Sequence, residues 1–105
     1  MGSAARRKPA RLAEKLLAIR SSLGLSQNGM IRRIGFVDEL TQAEISMFER
    51  GIRLPSLPVL LEYARAANLY LDVLVDDSLD LPLRIPAPTK HEGINRKSNY
   101  SKRGK

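Results

Sequence analysis

Few residues in this chain could carry out covalent or metal chemistry. His91 is the only histidine, and there is no cysteine. One imidazole without a thiolate supplies neither a set of metal ligands nor a nucleophile–base pair. Asp76, Asp77 and Asp80 cluster in the sequence, but neighbouring carboxylates at the end of a helix are usually solvated. The sequence therefore predicts a protein that is not an enzyme, with no cofactor and no metal.

Positive charge dominates the composition and lies at the two ends of the chain. The formal net charge is +7 over 105 residues. Residues 1–8 carry +3 and residues 81–105 carry +6, whereas residues 9–80 sum to −2. A basic chain of this kind favours nucleic acid or another polyanion as a partner. The distribution predicts that two basic arms supply non-specific attraction to phosphate.

Residues 9–78 must position any remaining functional groups, and they have the pattern of a small helical domain. Apolar residues three or four positions apart between residues 12 and 23 predict the first helix, which Gly24 is placed to end. Ser26 is a good N-cap for a second helix, and Gly35 closes it.

Three more helices follow. Thr41 with Glu44 matches a capping box, so the third helix is expected to start near Gln42. Ser56 begins a fourth helix, and a fifth is expected at residues 71–75. The predicted apolar face of the fourth helix consists of Leu57, Leu60, Leu61 and Ala64. The predicted fold class is an all-α, compact five-helix bundle.

The pattern changes after the fifth helix. Alternate residues between 79 and 85 are apolar, while Pro82 and Pro86 disfavour a central strand. Two interpretations stay open: an extended segment lying on the domain, or an edge strand that pairs with a second subunit. Beyond Ala87 the chain is too polar to fold alone. Residues 79–105 are therefore predicted to be an extended segment followed by a basic, disordered tail.

An ordered set of short motifs carries a family resemblance. The segments "GLSQ", "LTQAEIS", "ERG", "PSL" and "LLEYARAANLYLDVL" follow one another between about Leu12 and Val75. In this order they resemble the helix-turn-helix family of phage repressors and small bacterial transcriptional regulators, the Cro- and XRE-like proteins. The resemblance implies a repressor-like bundle with flexible basic tails, whose third helix, about residues 42–50, enters the DNA major groove.

The resemblance also implies two sets of DNA contacts. Glutamine can bond adenine at two points, and a small apolar side chain can meet a thymine methyl group. The implied base contacts are Gln42, Ala43, Ser46 and Met47. The implied phosphate contacts are Ser26, Gln27, Thr41, Arg50 and Arg53, with Arg32 and Arg33 as further candidates. The alternative for each phosphate contact is an ordinary helix cap or a solvated surface group.

Two glutamates of the third helix are interpreted separately. Glu44 either belongs to the capping box or accepts a hydrogen bond from a cytosine amine, and the cap is favoured because Thr41 is present. Glu49 resembles a family position that pairs internally with a basic partner, so a structural role is expected.

Two features depart from the family pattern. About four extra residues, 36–39, separate the second and third helices, and Asp38 and Glu39 place negative charge where DNA would lie close. Ile31 stands where the family has a small alanine, which implies a changed crossing of these two helices or a compensating shift of the turn.

Two different functions follow. The first is a sequence-specific DNA-binding transcriptional regulator, a homodimer on a two-fold operator, with the fifth helix and residues 79–85 as the expected dimer surface. The second is an adaptor that binds another protein, such as a sigma factor, a toxin or a larger regulator, with loose nucleic-acid affinity through its tails. Without a signal-peptide pattern or an unbroken apolar run, the chain is expected in the bacterial cytosol or nucleoid, with no membrane contact.

Overall fold

The computed structural model describes residues 8–94, and the outer parts of both basic arms, residues 1–7 and 95–105, lie outside this range. The five α-helices are α1 (Leu12–Ser22), α2 (Gln27–Ile34), α3 (Gln42–Glu49), α4 (Leu57–Ala66) and α5 (Leu71–Val75). A 3₁₀ helix follows at Lys90–Ile94. Residues 8–94 contain no strand, and none of their helices is long and apolar enough to cross a bilayer. The predicted all-α, five-helix fold is confirmed.

The predicted caps set the helix boundaries. The Ser26 hydroxyl accepts a hydrogen bond from the Gly29 N–H at 2.9 Å at the start of α2. Gly35 ends that helix in the left-handed conformation, with φ at 80°. Thr41 and Glu44 form both halves of the capping box at the start of α3. These local hydrogen bonds satisfy N–H groups that the first turn of a helix leaves without partners.

Gly29 lies inside α2, where glycine normally costs about 1 kcal/mol relative to alanine. A Cβ at this position would lie 3.1 Å from the Ser26 hydroxyl oxygen. An alanine would therefore crowd the oxygen that caps the helix, which accounts for a residue that helix propensity alone disfavours.

All five helices contribute to a single apolar core. Buried residues of the helices include Leu16 and Ile19 of α1, Met30 and Ile34 of α2, Ile45 and Phe48 of α3, Val59 and Tyr63 of α4, and Val73 and Leu74 of α5. Ile31 is only 5% exposed, so the fold accommodates the larger side chain inside this core.

The predicted apolar face of α4 is wrong in part. Leu57 is 70% exposed and Leu61 is 37% exposed, whereas Val59 and Tyr63 are buried. The buried stripe of α4 is rotated toward Val59 and Tyr63, which puts Leu57 and Leu61 beyond its edge. Periodicity within one helix gives the width of an apolar stripe but not the side that neighbouring helices cover.

The segment after α5 packs on the domain at both of its ends. Leu79 and Ala87 are buried, and the Ala87 N–H donates to the Ala67 carbonyl oxygen at 2.9 Å. Asn68 ends α4 in the left-handed conformation, and its side-chain amide donates to the Ala87 carbonyl oxygen at 2.7 Å. Between these anchors the backbone bends at residues 83–86.

The 3₁₀ helix was not predicted from the sequence. It lies against Tyr70, whose ring centroid is 5.6 Å from the Lys90 ammonium and 5.8 Å from the centroid of the His91 ring. A cation over an aromatic face is a favourable contact. Tyr70 lies about twenty positions earlier in the chain, so the polar composition of residues 88–94 gave no sign of this packing.

Candidate nucleic-acid interface

One side of α3 faces outward and carries the side chains predicted to contact bases. Gln42 and Ala43 are exposed, and Ser46 and Met47 are half-buried. Residues three or four positions apart share a helix face, so these four lie together over the first turns. The opposite side of α3 is fixed in the core. The helix therefore presents short polar and apolar side chains with no cation among them.

Gln42 is held in place by a second glutamine. Its side-chain amide donates to the Gln27 side-chain oxygen at 3.2 Å. This contact joins the first turn of α3 to the first turn of α2. The second N–H and the side-chain oxygen of Gln42 have no hydrogen bond within residues 8–94, so both groups can meet a ligand.

Gln27 is held in turn by a largely buried ion pair. Its amide donates to Glu49 Oε1 at 3.1 Å. Glu49 also accepts from Arg20, at 2.6 Å from Nε and 2.9 Å from Nη2. The Arg20 Nη1 donates to the Leu25 carbonyl oxygen at 2.9 Å. The hydrogen bonds to Glu49 raise the pKa of the Arg20 guanidinium. Gln42 thus ends a hydrogen-bonded chain that starts on α1, and the internal pairing expected for Glu49 is present.

The start of α2 has the features of an anion site. Ser26 caps the helix through Gly29, and the first turn of α2 contains no acidic residue. Gln27 is half-buried and Ser26 is exposed. A helix N-terminus carries partial positive charge on its free N–H groups and suits a phosphate without a lysine.

Two exposed arginines lie at and after the end of α3. The Arg50 Nε lies 3.2 Å from the Ser46 hydroxyl oxygen, which accepts its hydrogen. An Arg53 Nη1 lies 3.5 Å from Glu44 Oε2. Glu44 therefore serves both the capping box and an ion pair, and it holds Arg53 beside the first turn of α3. Neither arginine is buried.

Arg32 and Arg33 occupy the last turn of α2 and are exposed. Neither side chain makes a hydrogen bond or an ion pair with another residue of the 8–94 range. Thr41, the remaining predicted phosphate contact, is exposed, and its hydroxyl accepts from the Glu44 N–H at 3.3 Å.

The extra residues between α2 and α3 form a compact turn. The N–H groups of Glu39 and Leu40 both donate to the Phe36 carbonyl oxygen, at 3.0 and 2.9 Å. Phe36 and Leu40 pack against the core, while Asp38 and Glu39 are exposed. The turn leaves Gln42 and Ala43 accessible.

The residues that fix the start of α1 were not predicted from the sequence. Asp77 Oδ2 accepts from the Ala10 N–H at 2.8 Å, and Oδ1 accepts from the Arg11 N–H at 3.1 Å. The Arg11 side chain pairs with Asp80 at 2.8 Å. These aspartates were expected to be merely solvated. Their partners lie 66 or more positions away, so no local pattern could have revealed them.

The comparison with known proteins agrees with this geometry. A family model described as "Helix-turn-helix" matches residues 16–74, which is more than half of the chain. No curated protein matches the chain. The matched range begins within α1 and ends within α5, and it includes all of α2 and α3. The chain therefore belongs to the helix-turn-helix family of DNA-binding transcriptional regulators, of the Cro- and XRE-like kind.

Proposed function

We propose that this protein recognises specific DNA sequences as a homodimer, with the first turns of α3 in the major groove. The hydrogen-bonded chain from Arg20 through Glu49 and Gln27 to Gln42 is the observation that carries the proposal. A side chain held in this way loses little conformational freedom when it meets a base. This favours discrimination between bases over non-specific binding.

Gln42 is the proposed principal base contact. Its free N–H and its free side-chain oxygen match the N7 acceptor and the N6 donor of adenine, a pairing worth roughly 1–3 kcal/mol of discrimination. Ala43 is suited to a thymine methyl group. Ser46 and Met47 would meet the groove one turn later. Arg50 already contacts the Ser46 hydroxyl, so Ser46 would share its hydrogen bonding between a base and that arginine.

Phosphate contacts are proposed on both sides of α3. Ser26 and Gln27 would hold one phosphate at the N-terminus of α2, where Gln27 keeps one side-chain N–H free. Thr41 would contact a phosphate at the start of α3. Arg50 and Arg53 would hold the other side of the groove.

Arg32, Arg33 and the basic arms would add a weaker and less directional attraction. Each phosphate neutralised by such cations releases counterions, so affinity should fall steeply as salt rises. This division of labour explains why a basic protein keeps cations out of the first turns of α3.

The proposed dimer surface is α5 together with residues 79–85. Leu83 is completely exposed at 105%, and Val75 is 37% exposed. Both side chains would gain from burial against a second copy. A two-fold dimer presents two α3 helices to half-sites about one DNA turn apart.

Selection of bound duplexes from a random DNA library, with each round analysed by sequencing, tests this function. We expect an enriched motif with two-fold symmetry and an affinity that falls with salt. A pool that stays random through selection, while binding remains salt-sensitive, would reject sequence recognition.

Removal of the outer parts of both arms, residues 1–7 and 95–105, separates the regulator from the adaptor. A protein spanning residues 8–94 should bind the selected site more weakly than the full chain but with the same base preference. Complete loss of DNA affinity in this shortened protein, with its circular dichroism spectrum unchanged, would instead favour the adaptor.

A further inference from the structure

The turn at residues 36–39 forms one wall of an open groove. The groove lies between this turn, the buried side of α3 and the start of α4, and has a volume of about 460 Å³. Its apolar lining consists of Phe36, Leu40, Phe48, Leu54 and Val59. A cavity of this size and character can receive a large apolar side chain. None of the proposed DNA contacts uses it, except that Arg53 lies at its rim.

Exposed apolar side chains occur in the segments that line this groove. Val37 is 61% exposed, Ile52 60%, Leu54 47% and Leu57 70%. Leu54 lines the groove, and each of the others is the chain neighbour of a lining residue. Soluble monomers usually expose large apolar side chains singly, and several of them in the segments that form one groove favour an interaction site there.

The charge at the rim of the groove indicates the sign of the partner's charge. Glu44 and Arg53 neutralise one another at 3.5 Å. The side chains of Asp38 and Glu39 are exposed and make no hydrogen bond or ion pair within residues 8–94. Two negative charges therefore remain beside an apolar groove. They repel DNA phosphate and favour lysine or arginine on whatever binds there.

We propose that this groove binds a short basic segment of another protein. One large apolar side chain of the segment enters the groove, and its lysines or arginines lie next to Asp38 and Glu39. Glu44, at the rim, lies two positions after Gln42 and so on nearly the opposite side of α3. A segment in the groove therefore leaves Gln42 uncovered. A protein bound beside DNA in this way is itself expected to be basic, which agrees with the acidic rim.

A random peptide library displayed on phage supplies the probe, with the full chain as bait and no DNA present. We expect the enriched peptides to combine a large apolar residue with flanking lysine or arginine. The best peptide is then synthesised, and its dissociation constant is measured by fluorescence anisotropy.

Two pairs of variants locate the site. The double variant D38K/E39K changes two residues of an exposed turn. It should raise the dissociation constant of the peptide about tenfold. Its control is E92K, which reverses an exposed carboxylate outside the groove and outside the proposed dimer surface. Leu54→Ser should also weaken peptide binding, and Leu17→Ser, at an exposed leucine of α1, should leave it unchanged. Circular dichroism on each variant checks the fold.

Three results would overturn the proposal. Enriched peptides could lack positive charge or an apolar residue, or the best peptide could bind D38K/E39K as tightly as the wild type. Alternatively, sedimentation could show self-association of the wild type that D38K/E39K abolishes, which would make a second copy the occupant.

DNA binding by the same variants is measured separately. The proposal predicts that D38K/E39K keeps or gains DNA affinity, because two repulsive charges are removed. Loss of the peptide with DNA binding intact thus distinguishes this site from the proposed DNA site.

Discussion

Glu49 of α3 holds Arg20 of α1 in a two-point ion pair, with Nε–Oε2 at 2.6 Å and Nη2–Oε1 at 2.9 Å. The two side chains are only 5% and 17% exposed, respectively. The pair therefore ties the end of α3 to α1 from inside the domain. Because Gln27 also bonds Glu49, the pair positions the side chain that holds Gln42.

Breaking this pair should be costly. Glu49→Ala leaves the Arg20 guanidinium largely buried without its partner, and we expect a loss of about 3 kcal/mol in the free energy of unfolding. Urea denaturation measures it. Glu62→Ala, which breaks the exposed pair with Arg65 at 2.8 Å, is the control and should cost less than about 1 kcal/mol. Equal losses of unfolding free energy in the two variants would show that the Arg20–Glu49 pair stabilises the fold no more than an exposed pair does.

Asp77 should make the stability of the fold depend on pH in the acidic range. Hydrogen bonds from the backbone N–H groups of Ala10 and Arg11 lower the pKa of the Asp77 carboxyl. Its contribution is therefore complete above the unfolded-state pKa, about 4, and is lost as pH falls through the lower folded-state value. We expect Asp77→Ala to lower Tm near neutral pH.

The Tm difference between Asp77→Ala and the wild type should shrink as the buffer is taken well below the pKa of a free aspartate. Asp77→Asn keeps one oxygen acceptor, so its Tm at neutral pH should fall less than that of Asp77→Ala. A Tm difference that stays constant into acid would contradict a role for the ionised carboxylate.

Tyr63 carries a buried hydroxyl that makes no hydrogen bond within residues 8–94. Burial, with Glu49 as a secondary cause, raises the pKa of the Tyr63 phenol. Tyr63→Phe removes a polar group that pays desolvation without compensation, so we expect stability to be unchanged or to rise by up to about 1 kcal/mol. Thermal denaturation tests it against Tyr70→Phe, a surface change. A clear loss of stability in Tyr63→Phe alone would reveal a partner for the hydroxyl in solution.

Lys15 is a buried cation that caps α5 through backbone carbonyl groups. Its ammonium donates to the carbonyl oxygens of Val73 at 2.7 Å and Asp76 at 3.0 Å, and burial lowers its pKa. Lys15→Met keeps the shape but leaves those carbonyls without their donor. We expect a loss of about 2 kcal/mol by chemical denaturation. Lys8→Met changes an exposed lysine and should be neutral, so similar values for both would contradict the capping role.

Local sequence patterns predicted the elements but not the contacts between them. The capping box of Thr41 and Glu44 spans three positions, and Ser26 caps a residue three positions later, so both could be predicted from neighbouring residues. The end of α2 could likewise be predicted from Gly35, and the end of α3 from the loss of helical periodicity. Long-range contacts leave no such trace. Asp77 contacts the start of α1, and Lys15 contacts the end of α5. Both contacts are seen only in the folded chain.

The candidate DNA site shows the same division. Motif order placed Gln27 and Gln42 at the starts of two successive helices, and the resemblance assigned each a role. The hydrogen bond between them, and the further bond from Gln27 to Glu49, depend on how α2 and α3 cross. That crossing is set by core residues such as Ile31 and by the extra turn, which no motif describes.

Base preference is the most direct measure of the central claim, that Gln42, held by Gln27, reads a base in the major groove. The measurement is competitive binding of duplexes that vary each position of the selected site. The proteins compared are the wild type, Gln42→Ala, Gln27→Ala and, as a control at a proposed phosphate contact, Arg53→Ala. We expect Gln42→Ala to abolish preference at one position per half-site, a change of roughly tenfold or more, and Gln27→Ala to reduce it there. Arg53→Ala should weaken all sequences alike. An unchanged base preference in Gln42→Ala would contradict the account.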